Sequence, residues 1–81
     1  MTRNDIVQLS GDDNILFCDG FDDAIIGIAQ QFNTVCVAYD KEKCIEILSK
    51  DMDREDAEEY FSFNVIGSWM GEQTPIFLSS K

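Results

Sequence analysis

Histidine is absent from the 81 residues, proline occurs once, and Lys and Arg together number six against sixteen Asp and Glu. Without an imidazole, an acid–base–nucleophile set would have to come from carboxylates, Lys, Tyr or a Cys with no evident base, and no serine stands in a G-x-S-x-G elbow. No glycine-rich phosphate loop is present. No apolar run approaches the ~20 residues of a membrane span, and Met1-Thr2-Arg3-Asn4-Asp5 is not followed by the apolar core of a secretory signal. The three cysteines, Cys18, Cys36 and Cys44, leave an odd thiol under any intramolecular pairing and form no C-x-x-C. Each has apolar neighbours, where a thiol acts as a small hydrophobe, so a reducing cytoplasm is the expected setting. No cofactor is expected.

What is present is acid and aromatic. The formal net charge is −10, and nine residues are Phe, Trp or Tyr. Residues 1–40 carry seven acids against Arg3, and residues 41–81 carry nine acids against five bases, so the excess covers both halves. Such a chain repels phosphates and anionic lipid heads, which disfavours direct nucleic-acid or membrane-surface binding and favours basic protein partners. Solubility is the competing explanation for the acidity. At 44% hydrophobic the chain is too apolar for a disordered tail, and its length allows one domain, 1–81.

Residues 1–14 read as a turn-rich lead-in that ends in Ser10-Gly11-Asp12-Asp13-Asn14. Ile15-Leu16-Phe17-Cys18 is a short strand or a buried extended stretch before the turn Asp19-Gly20. The β-branched run from Ala24 to Ala29 and a second from Thr34 to Tyr39 are joined by Gln30-Gln31-Phe32-Asn33, which predicts an antiparallel hairpin with Asn33 available for a left-handed position. A βαβ crossover is the alternative. Asp40 caps a predicted helix whose apolar face is Cys44, Ile45, Ile47 and Leu48. A second helix starts at Asp53, with an inward stripe of Ala57, Tyr60, Phe61, Asn64, Val65 and Ser68 or Trp69, and frays at Gly67 and Gly71. Pro75 leads a last strand, Ile76-Phe77-Leu78. The expected fold class is α+β: a small two-layer domain in which a three-stranded, mostly antiparallel sheet packs with two helices.

Two clusters invite a functional reading. Asp51 to Glu59 holds six acids and one base, and Glu55, Glu58 and Glu59 share the outer face of the predicted helix as a carboxylate row for a basic partner. A solvated, dipole-compensating first turn accounts for the same residues. Asp19, Asp22 and Asp23 surround a turn and could hold a hard cation, which makes a small metal-assisted hydrolase or ligand-binding domain the alternative function, although the EF-hand order is absent and a turn followed by a cap explains them too. Trp69 is either core or binding anchor. Phe32, in the hairpin loop, and Phe63, off the inward stripe, are the aromatics left over for an interface, and the short sheet's exposed edges make a homodimer an expectation.

The succession Asp19-Gly20-Phe21-Asp22-Asp23-Ala24-Ile25-Ile26-Gly27, Tyr39-Asp40-Lys41-Glu42-Lys43-Cys44-Ile45-Glu46-Ile47-Leu48, Glu58-Glu59-Tyr60-Phe61-Ser62-Phe63-Asn64-Val65-Ile66-Gly67-Ser68-Trp69 and Thr74-Pro75-Ile76-Phe77 resembles short, uncharacterised acidic proteins encoded by tailed bacteriophages. The resemblance spans most of residues 15–78 and brings no activity, cofactor or catalytic residue with it. It implies action in the cytoplasm of an infected host cell. The expectation is a small non-enzymatic accessory protein that modulates a host factor by protein–protein contact, in its sharper form an acidic decoy mimicking nucleic acid.

Overall fold

The computed structural model describes residues 1–67, 71 and 73–79. Helix α1 (Arg3–Ser10) opens the chain where the sequence suggested only turns. A reciprocal capping box explains it: Thr2 accepts from the Asp5 N–H while the Asp5 carboxylate accepts from the Thr2 N–H, and Gly11 closes the helix in the left-handed region. Those hydrogen bonds, the Thr2 backbone first, hold the Asp5 carboxyl below its usual range. One buried residue, Ile6, fastens the helix to the core.

Residues 15–18 join no strand, and a single 3-10 turn (Asp22–Ala24) leads into β1 (Ile25–Gln31). The hairpin to β2 (Thr34–Asp40) forms as expected, with Gln31 opposite Thr34. Its connection is only two residues long, and Phe32 rather than Asn33 takes the positive φ, at 56°. The ladder slips once, between Ile25 and Gly27, placing a bulge on the edge strand.

Helix α2 (Lys41–Leu48) follows with no linker because Asp40 is at once the last strand residue and the cap, its carboxylate accepting from the Glu42 and Lys43 N–H groups. Helix α3 (Arg54–Tyr60) continues as a π-helix, Phe61–Ile66. The expected inward stripe is corrected: Ala57 and Phe61 are buried and Val65 is partly so, four residues apart, whereas Tyr60 and Asn64 are exposed. Ser68 and Trp69 lie outside the described residues. The short strand β3 (Ile76–Leu78) pairs with β2 in parallel, so the sheet is mixed, in the order β1-β2-β3.

All three helices cover one face of the sheet, giving a two-layer α+β domain. Ile6 from α1, Cys44 and Ile45 from α2, and Ala57 and Phe61 from α3 and its extension pack with Ile25, Val37 and Tyr39. Aromatic rings run through this core. Phe61 meets Phe21 edge-on at 6.4 Å and Phe77 edge-on at 5.0 Å, and Phe77 stacks on Tyr39 at 5.6 Å. No described helix is long and apolar enough to cross a membrane.

Candidate functional site

The Asp19-Gly20 turn is held by Arg3. Its guanidinium donates to Asp19 at 2.9 Å and to Asp22 at 2.9 and 3.1 Å while lying 4.8 Å from the Phe17 ring centroid. Two of the three candidate cation ligands, Asp19 and Asp22, are thus engaged by a permanent cation, and Asp23 is exposed on the neighbouring turn. No cluster of three ligating side chains occurs among the described residues.

This anchored turn forms one wall of a groove. Phe17, Cys18 and Phe21 from the turn region, Ile47, Leu48 and Met52 from the end of α2, and Tyr60 and Val65 from the last helix enclose a hollow of about 450 Å³. A second hollow, about 470 Å³, continues from the shared residues Met52, Tyr60 and Asn64 out to Phe63, Asp56 and Glu59. The π-helix brings Phe63 to this end, three-quarters exposed. An apolar and aromatic floor therefore runs across the helical layer, with Asp19, Asp51, Asp56 and Glu59 along its sides. No Lys or Arg is among the described residues lining either hollow, and no ion pair among the described residues engages Asp51, Asp56 or Glu59.

The acids around Asp53 divide between two surfaces. Glu59 belongs to the groove, but Glu58 turns to a separate cleft of about 310 Å³, where Arg54 donates to it at 2.9 Å and to Glu42 at 2.6 Å. In that cleft the Arg54 guanidinium, raised in pKa by Glu42 first and then Glu58, engages both carboxylates, and Lys41 lines the same cleft. Glu55 is exposed in the first turn of α3, away from both lining sets. Phe32 projects from the hairpin tip at 89% exposure, and Trp69 lies outside the described residues. Sequence reasoning thus named Glu59 and Phe63 in the groove and missed Asp51, Asp56, Met52 and Tyr60. Asp51 and Asp56 belonged to the acid-dense stretch that drew attention, but nothing in that stretch distinguished groove from solvent.

The thiols have little nucleophilic character. Burial raises all three, with Cys44 pushed up to about 12. What the groove offers is apolar burial flanked by negative charge, a combination suited to a side chain or segment that is itself apolar and positively charged. No protein-family model, curated protein or solved structure matches the chain, so any functional reading must rest on the residues and this geometry.

Proposed function

We propose that the protein is a non-enzymatic binding module that works by protein–protein contact and receives a basic, amphipathic segment of its partner in the acid-sided groove. The observation carrying this reading is the pairing of the exposed Phe63 and Tyr60 with Asp51, Asp56 and Glu59, none of which meets a cation of its own among the described residues. Aromatic side chains supply the buried area, and the carboxylates select a basic partner and steer its approach. In line with the phage resemblance, the partner is a host factor in the cytoplasm of the infected cell. The decoy form of the proposal has the groove occupy a surface that otherwise binds nucleic acid.

A defined probe tests it. A fluorescent Lys/Leu amphipathic helical peptide should bind the full chain, and a Glu/Leu peptide of the same length should not. Affinity should fall as salt rises, because screening lengths shorten from about 10 Å at 0.1 M to about 3 Å at 1 M. Phe63→Ser and the pair Asp56→Asn, Glu59→Gln should each weaken binding about tenfold or more while leaving the fold intact, and equal affinity for both peptides would refute the reading. Host-lysate capture by wild type but not by Phe63→Ser then identifies the partner. The alternative, a metal-assisted hydrolase or ligand-binding domain built on Asp19, Asp22 and Asp23, has to contend with Arg3 in its cluster. A melting temperature that rises with Mg²⁺, Ca²⁺ or Mn²⁺ would favour it.

A further inference from the structure

The chain holds two arginines, and both show what an arginine site is made of in this fold. Arg3 lies 4.8 Å from the Phe17 ring centroid while its guanidinium donates to Asp19 and Asp22, and Arg54 donates at once to Glu42 and Glu58. Lysine is used differently. Among the described residues Lys43 approaches Glu46 only to 4.0 Å, and no ion pair engages Lys41 or Lys50. The cause is geometric: a guanidinium is a flat fork that reaches two carboxylates and lies along a ring, whereas an ammonium is a hydrated point charge on a flexible stem.

The hollow of about 470 Å³ at the outer end of the groove has the same parts and no cation among its described lining residues. Asp56 and Glu59 supply two carboxylates, neither engaged by an ion pair among the described residues, and Tyr60 and Phe63 supply rings that are 45% and 75% exposed. Helical spacing gathers them. Asp56, Glu59 and Tyr60 stand at i, i+3 and i+4 on α3, which puts both acids and the first ring on one face, and the π-helix adds Phe63 to the same hollow.

We infer that this outer hollow receives an arginine of the partner in preference to a lysine, and that the adjoining hollow receives an apolar side chain of the same segment. The inference rests on the reading of the groove as a basic-segment site and narrows its partner from basic to arginine-bearing. Bound there, the guanidinium lies against an exposed ring and donates to Asp56 and Glu59, as Arg3 does with Phe17, Asp19 and Asp22. The inner hollow suits an apolar anchor, since Phe21, Leu48 and Val65 in its wall belong to or pack against the core. Both hollows share Met52, Tyr60 and Asn64, so their occupants are neighbours. In an amphipathic helix they are side chains three or four residues apart, which lie on one face. The separate cleft offers no such site, because Arg54 already holds Glu42 and Glu58 and Lys41 repels a second cation.

Two fluorescent helical peptides of one length, one charge and one Leu pattern, carrying Arg or Lys at every basic position, test it by titration against the full chain at about 0.15 M salt. The Arg peptide should bind about tenfold more tightly than the Lys peptide. Tyr60→Leu combined with Phe63→Leu keeps an apolar surface and removes the ring faces, and should bring the two peptides to within about twofold of each other. Phe32→Ser, at the hairpin tip, should leave the difference as in wild type. Equal affinity of the wild type for both peptides overturns the arginine inference and leaves the basic-segment reading standing, whereas binding of neither overturns that reading and the inference with it. An arginine preference that survives in the folded double-leucine variant also overturns it. Should that variant not fold, amide chemical shifts of the wild type decide: changes on adding the Arg peptide must centre on residues 17–21 and 56–64, and changes centred on 41–45 refute it.

Discussion

Replacing Tyr39 by Phe isolates a single hydrogen bond at the middle of the fold. Tyr39 is fully buried, its ring stacks on Phe77, and its hydroxyl oxygen accepts the Cys18 backbone N–H at 2.8 Å. The substitution keeps the ring and its stacking and removes the acceptor. An amide left unpaired in the interior costs about 1–3 kcal/mol, and because Cys18 is only half-buried, water can partly replace the lost oxygen, which places the expected loss at about 1–2 kcal/mol. That is a large share of the roughly 4–12 kcal/mol expected for a domain of this size. At about 4–8 °C per kcal/mol, the melting temperature read by circular dichroism at pH 7 should fall by about 4–16 °C. Hydrogen exchange at the Cys18 amide should accelerate by more than at the Cys36 amide, which lies opposite Ala29 in the hairpin ladder of both variants. An unchanged melting temperature with undiminished protection at Cys18 would show that the Asp-Gly turn is fixed without Tyr39, and the reasoning would fail.

Phe32→Gly should stabilise the protein by roughly 0.5–1 kcal/mol, because Phe32 holds a φ of 56° with its ring in solvent and glycine occupies that region without a steric cost; a lower melting temperature would show that the ring packs on something. Burial raises the Cys44 thiol from 9.0 and the Tyr39 phenol from 10.0, each to about 12. A folded-state value above the unfolded one means this stability is complete below about pH 9 and is lost as pH rises toward 12. The urea midpoint should accordingly be flat from about pH 7 to 9 and then drop, with a shallower drop in Cys44→Ala; equal slopes would contradict the assignment. Arg3→Ala should cost at most about 1 kcal/mol, as expected for exposed ion pairs, yet quicken amide exchange at residues 19–23, and unchanged exchange there would show that the turn does not depend on Arg3.

The hairpin, the Asp40-capped helix and the terminal strand were legible because each has a strong local signal: β-branched runs around a turn, an acid ahead of an apolar helical stripe, a proline before three apolar residues. Helix α1 carried its own signal in Thr2, Asp5 and Gly11, but only Ile6 is buried along it, so the apolar period that marks a helix was too thin to outweigh the turn cluster after Ser10. The π-helix left no mark at all. Nor did the stripe's spacing say which of its rows is buried: Ala57, Phe61 and Val65 turn to the core and Tyr60 and Asn64 do not, a choice made by the packing of Phe61 against Phe21 and Phe77. The direction of β3 was equally hidden, since it depends on where the path through α2 and α3 returns the chain. Half the groove was invisible for the same reason: Phe17 and Tyr60 are far apart in sequence and become neighbours only when the helical layer closes.

The pleat of β2 turns Val35, Val37 and Tyr39 toward the helices and Cys36 and Ala38 away from them. Cys36 and Ala38 are nonetheless buried, at 9% and 3% exposure, so the middle of the strand is enclosed on both faces. Saturation mutagenesis of residues 35–39 scored for soluble folded protein should then lack the period of two of a half-solvated strand, with charged residues depleted at Cys36 and Ala38 as well as at Val37 and Tyr39. Small apolar residues at the two outward positions thus mark a constraint imposed by the monomer's own packing.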